Sequence, residues 1–585
     1  MGASALNETH PFTLDTDQQR VATAPPKERL WVVAGPGSGK TETVSARIAY
    51  LLEEEGLAGN EVLVISFSRA AVEAVQRRQR RNGARSWVSV MTLDALAARV
   101  LSDRGQEIEG LGFDARIRRL GELLSQEEIR DPLPDVRHMI IDEVQDIVGE
   151  RATLVSELLR KLPLDVGFTM FGDPKQGIYD FQLRDAHDDP LQILETVRGL
   201  SATEVGLWKQ YRAETMDAEK AMSLRGSGST DIVWTGEMKA YLSDLPVFDV
   251  DGLVDQVRRL KGTVAVLTQT NAQALLVARR LHERGVVADL LARSTDRPLD
   301  PWLAKMMADG PASLDQDRFI ELADGSLPEP SEAWALLRRL TSARTKFLDV
   351  ARVSARLALG AAPTGLTRPQ HRVTVSTIHR AKGLEFDDVL LLHPDGWYGD
   401  NDSSRARSLY VAITRPRRRT YPFRLEGAMT FGWKTDDRTE RVWRSGRQGK
   451  GTSGFEIRGS DWRGFRPPGG DEGSAELQEM FRCLADESAP ESVDIQLDSY
   501  GSTLSRPRFV ARLEGRVIGE LSDRFLESFV RRVGRPKDWP RTMTDAYFVG
   551  VETVAGPPQQ TTVGRNGLWL SPLIVGAANL KWSHS

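Results

Sequence analysis

The clearest chemistry in this sequence lies in a glycine-rich segment between a short apolar stretch and a helix. Leu30 to Val33 is predicted to form a buried strand, and the helical spacing of apolar residues begins at Lys40. A strand, a glycine turn and a helix in this order are typical of a phosphate-binding loop, whose backbone N–H groups and helix N-terminus bind phosphate oxygens. We expect this loop to consist of Ala34, Gly35, Pro36, Gly37, Ser38, Gly39, Lys40 and Thr41.

Two carboxylates provide the chemistry that the loop lacks. Asp142 and Glu143 follow a predicted buried strand, Met139 to Ile141. A carboxylate in this position can hold Mg²⁺, and a second one beside it can take a proton from an attacking water. We therefore predict Asp142 and Thr41 as the Mg²⁺ ligands, Lys40 on the β- and γ-phosphates, and Glu143 as the general base. Hydrolysis of ATP is favoured over phosphate transfer to a small molecule.

The overall composition is that of an ordinary globular protein. A chain of 585 residues predicts several structural units, and Cys483, the single cysteine, excludes internal disulfides. No charged-then-apolar signal pattern opens the sequence, so we expect a cytoplasmic location. The net charge of −4 provides no general attraction to nucleic acid, and a polyanionic partner would require a locally basic groove.

Further motifs follow in a fixed order between residues 14 and 420, and together they resemble the UvrD/Rep family of superfamily 1 DNA helicases. The matching segments are "LDTDQQRV", "VLVISFSRAAVEAVQRR", "FGDPKQGIYDF", "LWKQYRAET", "VTVSTIHRAKGLEFDDV" and "SLYVAITRPRRR". The resemblance implies an α/β fold class: two RecA-like domains with parallel sheets flanked by helices, small helical insertions, and an ATP-driven activity on single-stranded DNA or its junctions with duplex.

The resemblance also implies roles for individual residues around the nucleotide. Gln18 and Tyr211 would contact adenine, Gly383 and Glu385 would lie at the ribose, and Gln176 would sense the γ-phosphate. Arg212 and Arg415 would be arginine fingers, which stabilise charge on the transferring phosphate. The implied catalytic residues are Lys40, Glu143, Gln176, Arg212 and Arg415.

A separate set of residues is implied to contact DNA: Phe67, Thr92, Tyr179, Phe181 and His379. The sequence departs from the family at one of these positions. Where the family usually has Thr-Phe-His, this chain has Thr92, Leu93 and Asp94. A carboxylate at this point would repel a phosphate, which puts the DNA path near Thr92 in question.

We predict four regions along the chain. Residues 1–200 form the first RecA-like domain, with a reduced helical insertion at about 95–135. Residues 201–425 form the second, with a reduced insertion at about 291–370. Residues 426–474 are rich in glycine, serine and charge and are predicted to be a linker or irregular segment. Residues 475–585 form a small β-rich module.

The β-rich module has no recognised family. Its segments 506–521 and 546–556 have the composition of strands, and Glu514-Gly515 is predicted to form a hairpin turn. Three roles stay open for it: nucleic-acid binding, docking of a protein partner, and covering the motor as a lid. Nucleic-acid binding would use aromatic residues and arginines such as Arg506, Arg508, Arg512 and Arg516.

The sequence therefore predicts an ATP-dependent helicase or translocase that moves on single-stranded DNA, 3′ to 5′ by resemblance, in repair, recombination or defence against foreign DNA. With short insertions, we expect a competent ATPase that unwinds long duplexes poorly by itself. The alternative is a nucleotide-gated DNA-sensing module that regulates a partner such as a nuclease. A P-loop kinase is rejected, because it would leave Arg212 and Arg415 without a role.

Overall fold

The computed structural model describes most of the chain. The described residues are 13–66, 88–106, 112–178, 192–226, 230–291, 297–323, 327, 329–341, 343, 345–358, 362–397, 402–425, 442–444, 453–464, 466–485, 490–503, 505–533, 539–560 and 563–582. They fall into two compact units. The first consists of Met1–Leu245, Lys382–Glu385 and Tyr398–Thr420, and the second of Pro246–Ala381, Phe386–Trp397 and Tyr421–Ser585.

A six-stranded parallel sheet forms the centre of the first unit. Its strands are β1 (Arg29–Ala34), β2 (Val62–Ile65), β3 (Ser89–Met91), β4 (His138–Ile141), β5 (Gly167–Gly172) and β6 (Thr203–Leu207), in the spatial order β3-β2-β4-β5-β1-β6. The central strands are apolar along their length because helices cover both faces of such a sheet. The carboxyl ends of β1 and β4, which the glycine loop and the two carboxylates follow, therefore meet at one edge.

Helices surround this sheet and complete the first unit. Two of them, Asp231–Ser243 and Asp402–Ile413, pack against each other although they lie far apart in the sequence. The remaining helices of at least seven residues are Thr16–Ala22, Lys40–Glu53, Leu93–Asp103, Phe113–Ser125, Glu150–Arg160, Gln192–Gly199 and Met216–Ser223.

The second unit contains most of a five-stranded sheet, whose last strand in chain order begins with residues 416–420 of the first unit. Its strands are β7 (Val264–Thr268), β8 (Asp289–Leu290), β11 (Val373–Thr377), β12 (Phe386–Leu392) and β13 (Pro416–Phe423), in the order β13-β12-β7-β11-β8, and β12, β7, β11 and β8 pair in parallel. Helices Val250–Arg259 and Asn271–Glu283 precede and follow β7. Between β8 and β11 lie a two-stranded pair, β9 (Ser313–Leu314) and β10 (Leu348–Asp349), and helices Trp302–Met307, Gln316–Ala323, Pro330–Thr341 and Val350–Ala358.

A seven-stranded antiparallel sheet forms the rest of the second unit. Its strands are β14 (Val442–Arg444), β15 (Ser453–Ile457), β16 (Glu491–Leu497), β17 (Phe509–Leu513), β18 (Arg516–Glu520), β19 (Thr542–Ala555) and β20 (Leu568–Lys581), in the order β14-β15-β20-β19-β16-β17-β18. Helices Gly470–Leu484 and Asp523–Val533 accompany it. The predicted Glu514-Gly515 hairpin turn is confirmed, since it joins β17 to β18 with φ of 49° and 79°, the left-handed conformations that a tight hairpin requires.

The four helices between β8 and β11 share one hydrophobic core with the seven-stranded sheet. Trp302, Phe319 and Trp334 from the helices belong to the same buried cluster as Phe455 and Phe529 from the sheet and its helix. Thr553 of β19 also receives a hydrogen bond from the backbone of Ala304, at 3.1 Å. The reduced insertion and the C-terminal sheet are thus one packed body, although residues 359–441 separate them in sequence.

The predicted α/β fold class is confirmed, with two parallel-sheet domains and a separate β-rich C-terminal sheet, but two predicted boundaries need correction. Residues 203–207 form edge strand β6 of the first sheet, where they pair with β1, so the segment after residue 200 does not open the second domain. The predicted linker 426–474 contains β14, β15 and the start of a helix in its described part. Because this segment is rich in glycine, its composition did not indicate the strand in which Phe455 and Ile457 are alternate residues with side chains buried in the core.

No helix in the described part of the chain is both long and apolar enough to cross a bilayer.

Replacing Phe455 tests the shared core. Phe455 is fully buried and lies edge-on to Phe525 and Phe529, at centroid distances of 5.2 and 5.4 Å. We expect Phe455→Ala to lower the stability of the second unit by about 3–5 kcal/mol. Limited proteolysis should then cleave the segment that carries helices 302–358 and the sheet at the same time. Tyr500→Ala, at a fully exposed site, is the control and should change little. Cleavage in the sheet alone would show that the two parts are independent.

Candidate active site

The glycine loop between β1 and helix Lys40–Glu53 has a backbone that side chains would disrupt. Gly37 and Gly39 have φ of 72° and 75°, the left-handed region that favours glycine. A Cβ at Gly37 would lie 2.1 Å from Oε1 of Gln210, and one at Gly39 would lie 2.3 Å from Nε2 of Gln18. Glycine is therefore required at both positions, and the loop leads into the N-terminus of a helix, where backbone N–H groups can bind an anion.

Lys40 links the loop to the two carboxylates that follow β4. Its ammonium contacts Glu143 and lies 3.3 Å from Oδ1 of Asp142. Glu143 has φ of 54°, an uncommon value for a residue other than glycine, and its backbone N–H donates to Oδ1 of Asp142 at 2.9 Å. The structure thus brings together the predicted phosphate-binding lysine, the predicted base and the predicted Mg²⁺ ligand.

Burial and charge act against each other in this cluster. Burial disfavours the charge of Lys40, but the carboxylates of Asp142 and Glu143 outweigh it and raise the pKa of the ammonium. Burial would also raise the pKa of Glu143, but the positive charges of Lys40 and Lys382 lower it to about 2. Glu143 is therefore ionised, and while it contacts Lys40 it is a weak base.

Gln18 and Tyr211, the predicted adenine contacts, are both joined to Asp15. Asp15 caps helix Thr16–Ala22 and forms a capping box with Gln18. The Gln18 amide also donates to the carbonyl of Ser38 at 3.0 Å, and the Tyr211 hydroxyl donates to Asp15 at 2.7 Å. The backbone N–H of Tyr211 donates to the Gly37 carbonyl at 2.9 Å. Both predicted adenine contacts therefore lie against the loop.

Arg212 lies beside the loop and is engaged by Glu385. A Cβ at Gly37 would lie 2.5 Å from that of Arg212. The Arg212 guanidinium donates to Glu385 at 2.7 Å and to the Thr414 carbonyl at 3.0 Å, and Arg417 binds the other oxygen of Glu385. The Nε of Arg212 is buried and has no hydrogen-bond partner among the described residues. An unsatisfied cationic donor next to a phosphate-binding loop fits an anionic ligand.

Arg415 contacts Gln176 in the segment "FGDPKQGIYDF". It is 2% exposed, and its guanidinium donates to Oε1 of Gln176 at 3.2 Å. Gln176 in turn donates to Asp173 at 2.9 Å. Burial and the neighbouring Arg212 guanidinium lower the pKa of Arg415, whereas Glu143 and Glu385 act in the opposite direction. Arg415 and Gln176, both predicted catalytic residues, are thus in direct contact.

The sequence places Arg212 and Arg415 in the predicted second domain, whereas the structure groups both of them in the first compact unit. Arg212 follows β6 of the first sheet, and Arg415 follows helix Asp402–Ile413, which packs in the first compact unit. Segment Lys382–Glu385 belongs to the same unit. Motif order alone could not show this, because compactness depends on which helices pack together.

Several residues of the site were missed by sequence reasoning. Gln210 donates to the Pro36 carbonyl at 2.6 Å and accepts from the backbone of Arg212. Gln145 joins Glu143 to the backbone N–H of Asp173. Lys382 contacts Asp146. Gln145 and Lys382 lie in the motif segments "DEVQD" and "HRAKGLEF". The polar residues of these segments that had no predicted role were the sequence signal that could have identified them.

The donor set at this site suits Mg²⁺. Asp142 provides a largely buried carboxylate and Thr41 a hydroxyl at the first turn of helix Lys40–Glu53. No group of three or more His, Cys, Asp or Glu side chains that could hold a metal occurs among the described residues. A hard cation that shares phosphate oxygens needs only one or two protein oxygens, so these two residues are sufficient.

The residues predicted to contact DNA are only partly described. Phe67, Tyr179 and Phe181 lie outside the described residues. His379 lies in the short helix Ile378–Ala381 and is partly buried. Gly383, predicted at the ribose, has φ of 79°, a conformation that favours glycine.

Thr92 caps helix Leu93–Asp103, where its hydroxyl accepts from the Ala95 backbone at 3.3 Å. The neighbouring Asp94, which departs from the family pattern, is paired with Arg151 at 2.8 Å, and Arg151 also binds Asp114 at 3.0 Å. This pairing offsets the carboxylate charge that was expected to repel a phosphate near Thr92.

Family comparisons support the same motifs. The UvrD/REP helicase N-terminal domain matches residues 14–131 and 109–189, and the UvrD-like helicase C-terminal domain matches residues 364–421. ATP-dependent DNA helicase UvrD1 of Mycobacterium bovis is 36% identical over 104 residues, 17% of this chain and 13% of the relative. UvrD2 of the same organism is 28% identical over 149 residues, 23% of this chain and 20% of the relative.

ATP-dependent DNA helicase srs2 of Schizosaccharomyces pombe is 34% identical over 62 residues, 11% of this chain and 7% of the relative. The matches thus span a fifth or less of these relatives' lengths. Among solved structures, Pif1 helicase from Candida albicans aligns with 70% of this chain and 95% of its own, at 12% identity and a TM-score of 0.34. The resemblance to the UvrD/Rep family is confirmed over residues 14–189, which match the UvrD/REP helicase N-terminal domain, and residues 364–421, which match the UvrD-like helicase C-terminal domain.

Proposed function

We propose that this chain is an ATP-dependent DNA helicase or translocase that hydrolyses ATP with Mg²⁺ to move on single-stranded DNA, 3′ to 5′ by resemblance. The observation that carries the proposal is the contact of Lys40 with Asp142 and Glu143 in the same compact unit as the Arg415–Gln176 pair. A phosphate-binding lysine, a base and arginines form the set that hydrolysis of a triphosphate requires. The names of the relatives, all ATP-dependent DNA helicases, agree with it.

The ion pair of Lys40 and Glu143 suggests how binding activates the base. A triphosphate in the glycine loop would compete with Glu143 for the Lys40 ammonium. Once Lys40 turns to the phosphates, Glu143 loses the charge that contributes most to lowering its pKa and becomes a better proton acceptor. Glu143 would then take a proton from the attacking water. In this proposal the base becomes active only when substrate is in the loop.

The arginines would stabilise the charge that develops on the γ-phosphate. Arg212 would exchange its contact with Glu385 for a phosphate oxygen, and its unsatisfied Nε is an available donor. Glu385 would then be free for the ribose, as the resemblance implies. Arg415 would act next to Gln176, so that the γ-phosphate is sensed by two groups already in contact.

Asp142 and Thr41 would hold the Mg²⁺ ion, which supplies charge neutralisation at the phosphates. The metal needs no further protein ligand, because phosphate oxygens and water complete an octahedral shell. Both residues lie next to Lys40 in sequence or in space.

The proposed partner is single-stranded DNA or a junction of single strand and duplex, with Phe67, Thr92, Tyr179, Phe181 and His379 as contacts. Aromatic side chains would stack on bases with about 1–3 kcal/mol each. Repair, recombination or defence against foreign DNA are the proposed settings. The single cysteine favours the cytoplasm. The short insertions suggest weak unwinding by the isolated chain.

ATP turnover with and without single-stranded DNA tests this function, together with displacement of a triplex-forming strand from a single-stranded track. We expect stimulation by DNA, and displacement only when ATP is present. Stimulated turnover that leaves the triplex intact would instead indicate a nucleotide-gated DNA sensor. Absence of turnover under both conditions would contradict the proposal.

Glu143→Gln should keep ATP binding and lose hydrolysis by a factor of about 10²–10⁴, the usual contribution of a general base. Nucleotide affinity is measured with a fluorescent ATP analogue and turnover by phosphate release. Glu150→Gln is a matched control, because Glu150 is paired with Arg118 at the surface. Lys40→Ala should abolish turnover. A Glu143→Gln chain with turnover near that of the unmodified protein would remove Glu143 from the role of base.

Arg415→Ala should reduce turnover by about 10³–10⁵, as loss of an arginine finger does. Arg419→Ala, in the same basic run, is the control, because Arg419 is half exposed and paired with Asp217. Both variants need a check of thermal stability, since Arg415 is buried. Folded Arg415→Ala protein with nearly unchanged turnover would show that Arg415 has only a structural role.

A further inference from the structure

A buried ion pair outside the predicted catalytic set joins two motifs of the site. Asp146 is 3% exposed, and the side chain of Lys382 is 6% exposed. The Lys382 ammonium contacts Oδ1 of Asp146 and donates to the main-chain carbonyl of Gln176 at 2.5 Å. All three residues lie in the first compact unit. Lys382 therefore touches the segment of the predicted base and the segment of the predicted γ-phosphate sensor at once.

Each side of the pair is connected to a predicted catalytic residue. Asp146 ends the single 3₁₀ turn, Val144–Asp146, that follows Glu143 directly. Its backbone N–H donates to the Glu143 carbonyl at 2.9 Å. At the other end, the side chain of Gln176 contacts Arg415. A shift of Lys382 would therefore move both Glu143 and Gln176.

A second bridge runs beside the first. The Gln145 amide contacts Glu143 at its nitrogen and accepts the Asp173 backbone N–H, at 2.9 Å, at its oxygen. Gln145 thus joins the turn after β4 to Asp173, at the start of the turn after β5. Lys382 joins the turn after β4 to Gln176, at the end of the turn after β5. Two bridges between neighbouring turns define an orientation that a single contact would not.

The position of Lys382 in the chain adds a third connection. Three residues further on, Glu385 binds both Arg212 and Arg417. At one end of segment Lys382–Glu385, Lys382 contacts Asp146 in the 3₁₀ turn that follows Glu143. At the other end, Glu385 binds the Arg212 guanidinium. Movement of this segment would alter both together.

Stability alone does not explain the pair. Removing two charges from water costs several kcal/mol per ion, and a buried ion pair is often no more stable than apolar residues of the same size. In some proteins, such pairs are retained because they fix one arrangement of the surrounding groups. The burial of Asp146 supports this, because it raises the pKa of the carboxyl to about 7 against the opposing charge of Lys382.

We propose that Asp146 and Lys382 are positioning residues of the hydrolytic site, which hold Glu143 and Gln176 in their working orientation and tie them to the segment that carries Glu385. The inference rests on the proposed function. It predicts that loss of the pair lowers kcat for ATP hydrolysis while leaving KM and nucleotide affinity almost unchanged, because neither residue would contact the nucleotide.

The test compares Lys382→Met, Asp146→Asn and the double variant in the full chain. Lys382→Met should lower kcat by roughly 10- to 100-fold, the loss expected from misplaced catalytic groups, with KM within about threefold. Lys220→Met is the matched control, because Lys220 forms an exposed ion pair with Asp244 in the same unit, and its kcat should not change. An unchanged kcat in Lys382→Met overturns the inference.

The double variant separates positioning from stability. If the single variants are unstable, removing both charges should restore folding, which is measured by thermal unfolding. A folded double variant with kcat still reduced supports positioning. Recovery of both folding and kcat shows that the pair is structural and overturns the inference. The unmodified chain distinguishes the two proposals, because its failure to hydrolyse ATP would contradict the function itself.

Discussion

The contact between the Lys40 ammonium and the carboxylates of Asp142 and Glu143 is the interaction on which the site depends. It exists because β1 and β4 run parallel in one sheet and end at the same edge, with β5 between them. A ligand crevice at the carboxyl ends of the strands is the general outcome of this architecture. Burial would raise the pKa of Glu143, but the positive charges of Lys40 and Lys382 outweigh burial and keep Glu143 ionised. In the proposed function, Lys40 would determine both where phosphate binds and when Glu143 can act as a base.

Around that contact, polar side chains connect the turns that carry the site residues. Gln145 and Lys382 join the turn after β4 to the turn after β5, and Gln176 carries the connection on to Arg415. Glu385 holds Arg212 in the same compact unit. Buried polar networks are costly when any member lacks a partner, so a change at one group is felt by the others. In the proposed function, these contacts would let Arg212, Arg415, Gln176 and Glu143 respond together to a bound phosphate.

The second unit shows how a reduced insertion is stabilised. Its four short helices do not enclose a core alone, and the seven-stranded sheet provides the other half of the apolar surface. A chain ending near residue 425 would therefore expose Trp334 and Phe319, which the complete chain buries. Of the basic residues proposed to bind nucleic acid in this sheet, Arg508 is paired with Glu520 and Asp498, and Arg506 with Asp523. These ion pairs reduce the free positive charge on that face.

The sequence by itself determined the glycine loop, the carboxylates after β4, the order of the motifs and the Glu514-Gly515 turn, because each depends on residues close together in the chain. Only the tertiary structure decided that β6 belongs to the first sheet, that β15 lies within the predicted linker, and that Lys382 binds Asp146. These depend on pairing and packing between distant segments. Local composition cannot encode such contacts, since burial of a charge or a short strand is decided by what lies opposite to it.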